Sequence, residues 1–212
     1  MGPEKHFQYP LGRILVFARA PLPGRVKTRL AENIGAQRAA TLYTDWLCET
    51  VRLCATSALA PVELWCSPNT EHEIFTSLRA AYGLKLATQP QGDLGTRMQA
   101  AMHQALQQGE FTVLIGTDCP AMDVDYLASA CRVLQAGTEL VLGPAEDGGY
   151  VLLGARKLDD SLFDGIPWGT GRVLQQTRMR IASIGYRHAE LASLWDVDRY
   201  EDLQRLESGS KF

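Results

Sequence analysis

Six short apolar runs punctuate the chain: 13–18 (RILVFA), 62–66, 84–87, 112–115, 139–142 and 151–153. They are too short for helices and end at glycine, proline or polar residues. The unalternating runs at 13–18 and 112–115 predict strands buried on both faces, as in a parallel sheet. Between the runs the apolar period changes to helical. Ala39, Tyr43, Trp46, Leu47, Val51 and Cys54 predict a long helix over 35–57. A polar helix is expected over 71–81. Met98, Ala101, Met102, Ala105 and Leu106 form another stripe, and so do Val124, Leu127, Ala128, Cys131 and Leu134, with Asp123 as cap. A short helix over 171–177 capped by Thr170, a late strand over 180–184 and a loose polar segment over 1–12 complete the reading. Strands alternating with helices predict one domain over 1–212. It is a three-layer α/β/α structure with a mostly parallel sheet, mixed in its last third.

Composition narrows the function. A chain of 212 residues that is 46% hydrophobic is large enough for one substantial core. The net charge of -3 argues against a dedicated nucleic-acid binder. Five cysteines without a C-x-x-C pair read as reduced thiols of a cytoplasmic protein, with Cys119 a small buried thiol. Four scattered histidines without H-E-x-x-H make a zinc hydrolase a poor fit. No apolar run approaches the roughly 18 residues of a membrane span. Met1-Gly2 is followed by Pro3, with His6 where myristoylation needs Ser or Thr.

Candidate chemistry gathers where the strand runs end. Segment 19–30 (RAPLPGRVKTRL) has two prolines and a glycine, which predicts a loop, and it carries Arg19, Arg25, Lys27 and Arg29. Cations and free amides at a strand's carboxyl end suit a phosphate. The loop is no Walker A motif, because Gly24 is followed by Arg25-Val26 before Lys27-Thr28, and no G-x-G-x-x-G is present. After the central run, Gly116-Thr117-Asp118-Cys119-Pro120 places a carboxylate where open α/β sheets meet ligands. Asp118 either receives a metal or substrate there or caps the turn at Pro120. In Gly92-Asp93-Leu94-Gly95-Thr96-Arg97, the glycines permit close approach and the following helix start favours anions. Glu146-Asp147-Gly148-Gly149 reads equally as a hairpin turn or as Asp147 presented to a substrate. Trp168 beside Gly169 either stacks on a base or sugar or anchors the loop. Asp198 and Glu201 have capping-box spacing, whereas Asp196 has no such structural task.

Taken in order, the motifs FARAPLPGRVKTRLA, GDLGTRM, GTDCP, GPAEDGGYVLLG and WDVDRYEDL cover essentially the whole chain. They resemble the glycosyltransferase-like family related to the enzyme making the lactyl-phosphate precursor of coenzyme F420, the rSAM/selenodomain-associated transferases. More distantly the chain is similar to molybdenum-cofactor guanylyltransferases and sugar-nucleotide cytidylyltransferases, which share the nucleotide-diphospho-sugar transferase (GT-A) fold. The resemblance implies that Phe17, Ala18, Arg19 and Pro21 lie near the base and that Gly24, Arg25 and Lys27 lie near the phosphates. Gly92, Asp93, Gly95, Arg97 and Thr117 complete the nucleotide-binding set. Asp118 would hold Mg²⁺ or Mn²⁺, with Asp198 as the candidate second ligand. From the chemistry common to sugar and nucleotidyl transfer, Asp196 is the other candidate ligand, and Lys27 and Asp147 would be catalytic, Asp147 orienting the acceptor hydroxyl or accepting its proton. Two departures stand out: Arg199-Tyr200 replaces Thr-Pro, and Phe17-Ala18-Arg19-Ala20 replaces the nucleotidyltransferases' L-A-G-G.

The function implied first is glycosyl transfer from a nucleotide-sugar to a small acceptor. A nucleotidyltransferase coupling a nucleoside triphosphate to a small phosphorylated metabolite is the alternative. A nucleotide-binding module without turnover is a reading of another class.

Overall fold

The computed structural model describes residues 6–209. The expectations for Met1, Gly2 and Pro3, and for part of the amino-terminal polar segment, therefore lie outside the described residues. Strand β1 (Gly12–Arg19) starts inside that segment and leads into helices α1 (Thr28–Ile34) and α2 (Ala36–Thr56). Strand β2 (Val62–Ser67), helix α3 (Glu73–Tyr82) and strand β3 (Lys85–Thr88) follow, and then helix α4 (Leu94–Leu106) and the central strand β4 (Phe111–Ile115). The second half contains helix α5 (Val124–Gln135), strands β5 (Leu140–Pro144) and β6 (Tyr150–Ala155), helix α6 (Val173–Ile184), strand β7 (His188–Glu190) and helix α7 (Tyr200–Glu207).

The seven strands of the described residues form one sheet, in the order β3-β2-β1-β4-β6-β5-β7. β1 pairs in parallel with β2 and β4, and β2 pairs in parallel with β3. Only β6 runs the other way, antiparallel to both β4 and β5. One face of the sheet, through Ile14, Val16, Leu64 and Val113, packs on the apolar stripes of α2, α3 and α5. The other face, through Leu15, Trp65, Leu114 and Leu153, packs on α4 and α6. Alternate residues of β1 and β4 thus enter different cores, so these runs have no polar positions to alternate. A third, smaller cluster joins α1 and α7 through Leu30, Trp195, Val197 and Leu203.

The structure corrects three expectations. Segment 19–30 is not all loop, because α1 starts at Thr28. The helix over 171–177 and the strand over 180–184 are one helix, α6, which begins at Val173 after Arg172 rather than at a Thr170 cap. The expected capping pair Asp198 and Glu201 is displaced by one residue: Asp202 accepts the Arg199 amide at 2.8 Å and the Asp198 amide at 3.1 Å. All five cysteines are free, and all but Cys48 are buried. Among the described residues no helix is long and apolar enough to cross a membrane.

Candidate active site

The strand order reverses between β1 and β4, since β2 and β3 lie to one side and β6, β5 and β7 to the other. Ligands of open α/β sheets sit at such a reversal, outside the strands' carboxyl ends. A cleft of about 590 Å³ opens there. Its lining brings together Phe17, Ala18, Arg19, Arg25, Lys27 and Arg97 with Thr117, Asp118, Asp147, Asp196 and Asp198. Pro21, Gly24, Gly92, Asp93 and Gly95 are not part of that lining.

Lys27 is the pivot. Its backbone is left-handed (φ 48°, ψ 45°) just before α1, a conformation that L residues adopt at a cost of about 1–3 kcal/mol. That turn buries the side chain instead of sending it into solvent. The ammonium lies 2.9 Å from Asp118 Oδ2, donates to the Val197 carbonyl at 2.7 Å and sits 5.7 Å from the centre of the Trp46 ring. The Asp118 side chain stays 44% exposed, so one face of the carboxylate looks into the cleft. The Val197 amide donates to the Asp118 carbonyl at 2.9 Å, fixing segment 194–198 beside the β4 end.

Beneath this pair lies Tyr43, whose hydroxyl accepts the Arg19 amide at 2.9 Å and a hydrogen bond from Thr117 at 3.2 Å. Burial, reinforced by the charge of Asp118, pushes its phenol up to about 12. Buried Gln89 donates to the carbonyls of Ala18 and Trp65, at 3.1 and 2.8 Å, and accepts from Arg97 at 3.1 Å. Burial and the neighbouring Arg19 charge both lower the affinity of the Arg97 guanidinium for its proton. Two cations this close, only partly offset by the charge of Asp93, are suited to an anion. Tyr43 and Trp46 read as plain core from helical spacing, and Gln89 gives no sequence signal beyond its place after β3.

The acids face this basic side. Asp147 lies in the β5–β6 hairpin and accepts the Gly149 amide at 2.8 Å through Oδ1. Asp147 thus braces the turn and at the same time lines the cleft. Gly148 (φ 86°) is pressed against α6's approach: a Cβ there would sit 2.2 Å from the Gly171 carbonyl oxygen. Burial pushes the Asp196 carboxyl up to about 6, and the charges of Asp147 and Asp118 add to the rise. Asp198 is paired with Arg29 at 2.7 Å. Cys119 is unsuited to nucleophilic work, because burial pushes its thiol up to about 12.

Both glycines of 92–97 are hemmed in by side chains, Gly92 by Thr96, 2.9 Å from where a Cβ would sit, and Gly95 by Trp168. Asp93 caps α4 by accepting the Thr96 amide at 2.8 Å. A Cβ on Gly95 would sit 2.6 Å from the Trp168 indole nitrogen, so this glycine admits Trp168 against the helix start.

Among the described residues, no three His, Cys, Asp or Glu side chains form a ready-made metal cage. Mg²⁺ and Mn²⁺ do not require one, since one or two carboxylates plus phosphate oxygens and water suffice. Asp118, half-exposed, and Asp196, whose ionised form is disfavoured by burial and then by the charges of Asp147 and Asp118, fit that pattern.

A protein of Desulfovibrio desulfuricans G20, provisionally described as a nucleotide-diphospho-sugar transferase, is 33% identical over 95% of this chain and 88% of its own, with a TM-score of 0.84. A CMP:2-keto-3-deoxy-manno-octonic acid synthetase complexed with CTP shares the fold at 12% identity (TM-score 0.57; 93% of this chain, 97% of that one). So does glucosyl-3-phosphoglycerate synthase of Mycobacterium tuberculosis, in complex with Mn²⁺, UDP and glucosyl-3-phosphoglycerate, at 11% identity (TM-score 0.56; 92% and 75%). A search of curated proteins returns no match. The family model described as uncharacterized protein conserved in bacteria (DUF2064) matches residues 50–170, more than half of the chain. With its seven-stranded mixed sheet and the cleft at its reversal, the chain belongs to the DUF2064 family and has the fold of nucleotide-diphospho-sugar transferases.

Proposed function

We propose that the chain transfers a glycosyl group from a nucleotide-sugar to a small acceptor with the help of a divalent cation. The observation that carries this reading is the opposition of charge across one cleft. Lys27, Arg19, Arg25 and Arg97 lie on the side of β1 and α4, and Asp147 faces them from the β5–β6 hairpin. A diphosphate is the ligand that such a basic wall binds best. Bound Mg²⁺ or Mn²⁺, held by Asp118 and Asp196, would supply further charge neutralisation for the leaving diphosphate. Of the late aspartates Asp196 is preferred to Asp198, because it has no ion-pair partner among the described residues and lies close enough to Asp118 to feel its charge.

Lys27 and Arg25 stabilise the charge that develops as the bond from the anomeric carbon to the diphosphate oxygen breaks with its electron pair. The acceptor oxygen forms the new bond to that carbon, and Asp147 takes the hydroxyl proton. The neighbour in complex with Mn²⁺ and UDP supports a donor of this type.

The guanidinium groups of Arg19, Arg25 and Arg97 also favour a second reading, nucleotidyl transfer from a triphosphate with release of pyrophosphate, in line with the neighbour that binds CTP.

A melting screen of sugar nucleotides and nucleoside triphosphates, each with Mg²⁺, Mn²⁺ or chelator, tests both. Saturation at about 100 times Kd adds roughly 2.7 kcal/mol of stability. Protection by a sugar nucleotide is expected, with its metal-dependent part lost in Asp118→Asn. Full metal-dependent protection in that variant sinks the metal assignment. Metal-dependent binding without transfer to any acceptor sinks the enzyme reading.

A further inference from the structure

The two sides of the cleft differ in more than sign. Every cation of the lining belongs to the β1–α1 segment or to Arg97 on α4. The part contributed by residues 147–173 carries a single charge, Asp147. Arg172, the nearest cation in sequence, is exposed and outside the lining. Apart from the Thr170 hydroxyl, which donates to the Pro167 carbonyl at 2.7 Å, the remaining side chains there are apolar or aromatic. Trp168 is braced by Phe163, with ring centres 6.3 Å apart, and by the edge of Tyr150 at 6.4 Å. Gly95 lets it close on the start of α4, where Leu94 remains 38% exposed in the cleft wall. A phosphate dianion placed beside Asp147 meets a like charge, while Arg97, the lining cation on the same helix as Leu94, is already hydrogen-bonded to the Asp93 carbonyl and to Gln89. A ligand with C–H faces and hydroxyls meets an indole, a leucine and a carboxylate acceptor.

Resting on the glycosyl-transfer reading, we infer that this half of the cleft is an acceptor site for a neutral sugar or polyol, which packs on Trp168 and gives a hydroxyl to Asp147, and that it rejects phosphorylated acceptors. Asp147 is prepared for that contact. Its Oδ1 is taken by the Gly149 amide, which fixes the carboxylate, while Oδ2 has no hydrogen bond among the described residues.

Saturation-transfer NMR tests the assignment with glucose, xylose, inositol and glycerol against glucose 6-phosphate and glycerol 3-phosphate. Each is offered to the protein alone and to the protein with UDP, GDP or CDP and Mn²⁺. At least one neutral compound is expected to show transfer to its C–H protons, and neither phosphate ester to show any. Trp168→Ala and Asp147→Asn should each reduce that signal at least fivefold and leave nucleotide protection against heat intact, while Trp168→Phe keeps most of it and serves as the folded control. Binding of the phosphate esters equal to or tighter than the neutral compounds overturns the inference. So does the absence of any neutral binder, or loss of nucleotide protection in Trp168→Ala, which would place that ring on the donor. If no nucleotide protects the wild type, the donor reading fails separately from the acceptor result obtained without nucleotide.

Discussion

Lys27 shows how much chemistry one backbone angle decides. Its neighbours in the basic segment, Arg25 and Arg29, are exposed. The left-handed turn instead buries the ammonium between Asp118 and the Val197 carbonyl. The residue types at the site were legible in the sequence, because strand ends and charge clusters mark them. The pairing was not, because nothing local signals a positive φ at a lysine. Asp196 was singled out for lacking a capping task, and its environment accounts for it: burial and two neighbouring acids hold its carboxyl up at about 6. A carboxyl raised in the folded state lowers stability once it ionises. The penalty is complete above pH 6 and disappears below the ordinary value near 4. In chelator-treated protein, Asp196→Asn is therefore expected to raise stability by about 1–3 kcal/mol at pH 8 and to make little difference at pH 4. Equal gains at both pH values in thermal melts would show that the substitution acts through something other than charge.

Legibility among the elements follows burial. β1, β2, β4 and β5 have cores on both faces, so their apolar runs stand out, and α2, α4 and α5 bury one stripe each. β7 has only one partly buried residue in three and no periodicity to read; its parallel pairing with β5 places it. The strand expected over 180–184 has its two isoleucines, Ile181 and Ile184, three residues apart, which is helical spacing. In the fold, Ile181 is fully buried and Met179 is 59% exposed, a helical arrangement. The Asp-Gly-Gly hairpin was recognisable as a turn, but its contact with α6's approach was not. Leu174 donates to the Gly148 carbonyl at 2.8 Å, which holds the hairpin that carries Asp147. Gly148→Ala brings a methyl against the Gly171 carbonyl at a positive φ. A loss of about 1–3 kcal/mol is expected, with faster amide exchange in 145–149. Unchanged exchange there would mean that the hairpin is held by other contacts.

At the scale of the molecule, one reversed strand shapes the cleft. Because β6 runs against its neighbours, the turn from β5 into β6 lies at the carboxyl ends of the parallel strands, which brings Asp147 to the same rim as Asp118. The mixed last third was expected from irregular spacing, but this placement depends on strand order, which a single sequence does not encode locally. Segment 194–198 crosses the same rim and is secured from below by Trp195, Val197 and Leu203 against Leu30. Leu203 does not line the cleft, yet Leu203→Ala should cost about 2–4 kcal/mol. It should also weaken nucleotide binding, measured by calorimetry at a temperature where the variant remains folded, because it loosens that segment. Undiminished affinity would show that the crossing segment holds without its anchor.

That crossing segment also sets an order of events during synthesis. All seven strands precede Leu194 in the chain, so the sheet has every strand before the Val197 carbonyl reaches Lys27. A nascent chain halted at Leu191 would hold a complete set of strands while the lysine still lacked that partner. Capacity for nucleotide should thus emerge abruptly with the final helix, rather than growing in proportion to the length already translated.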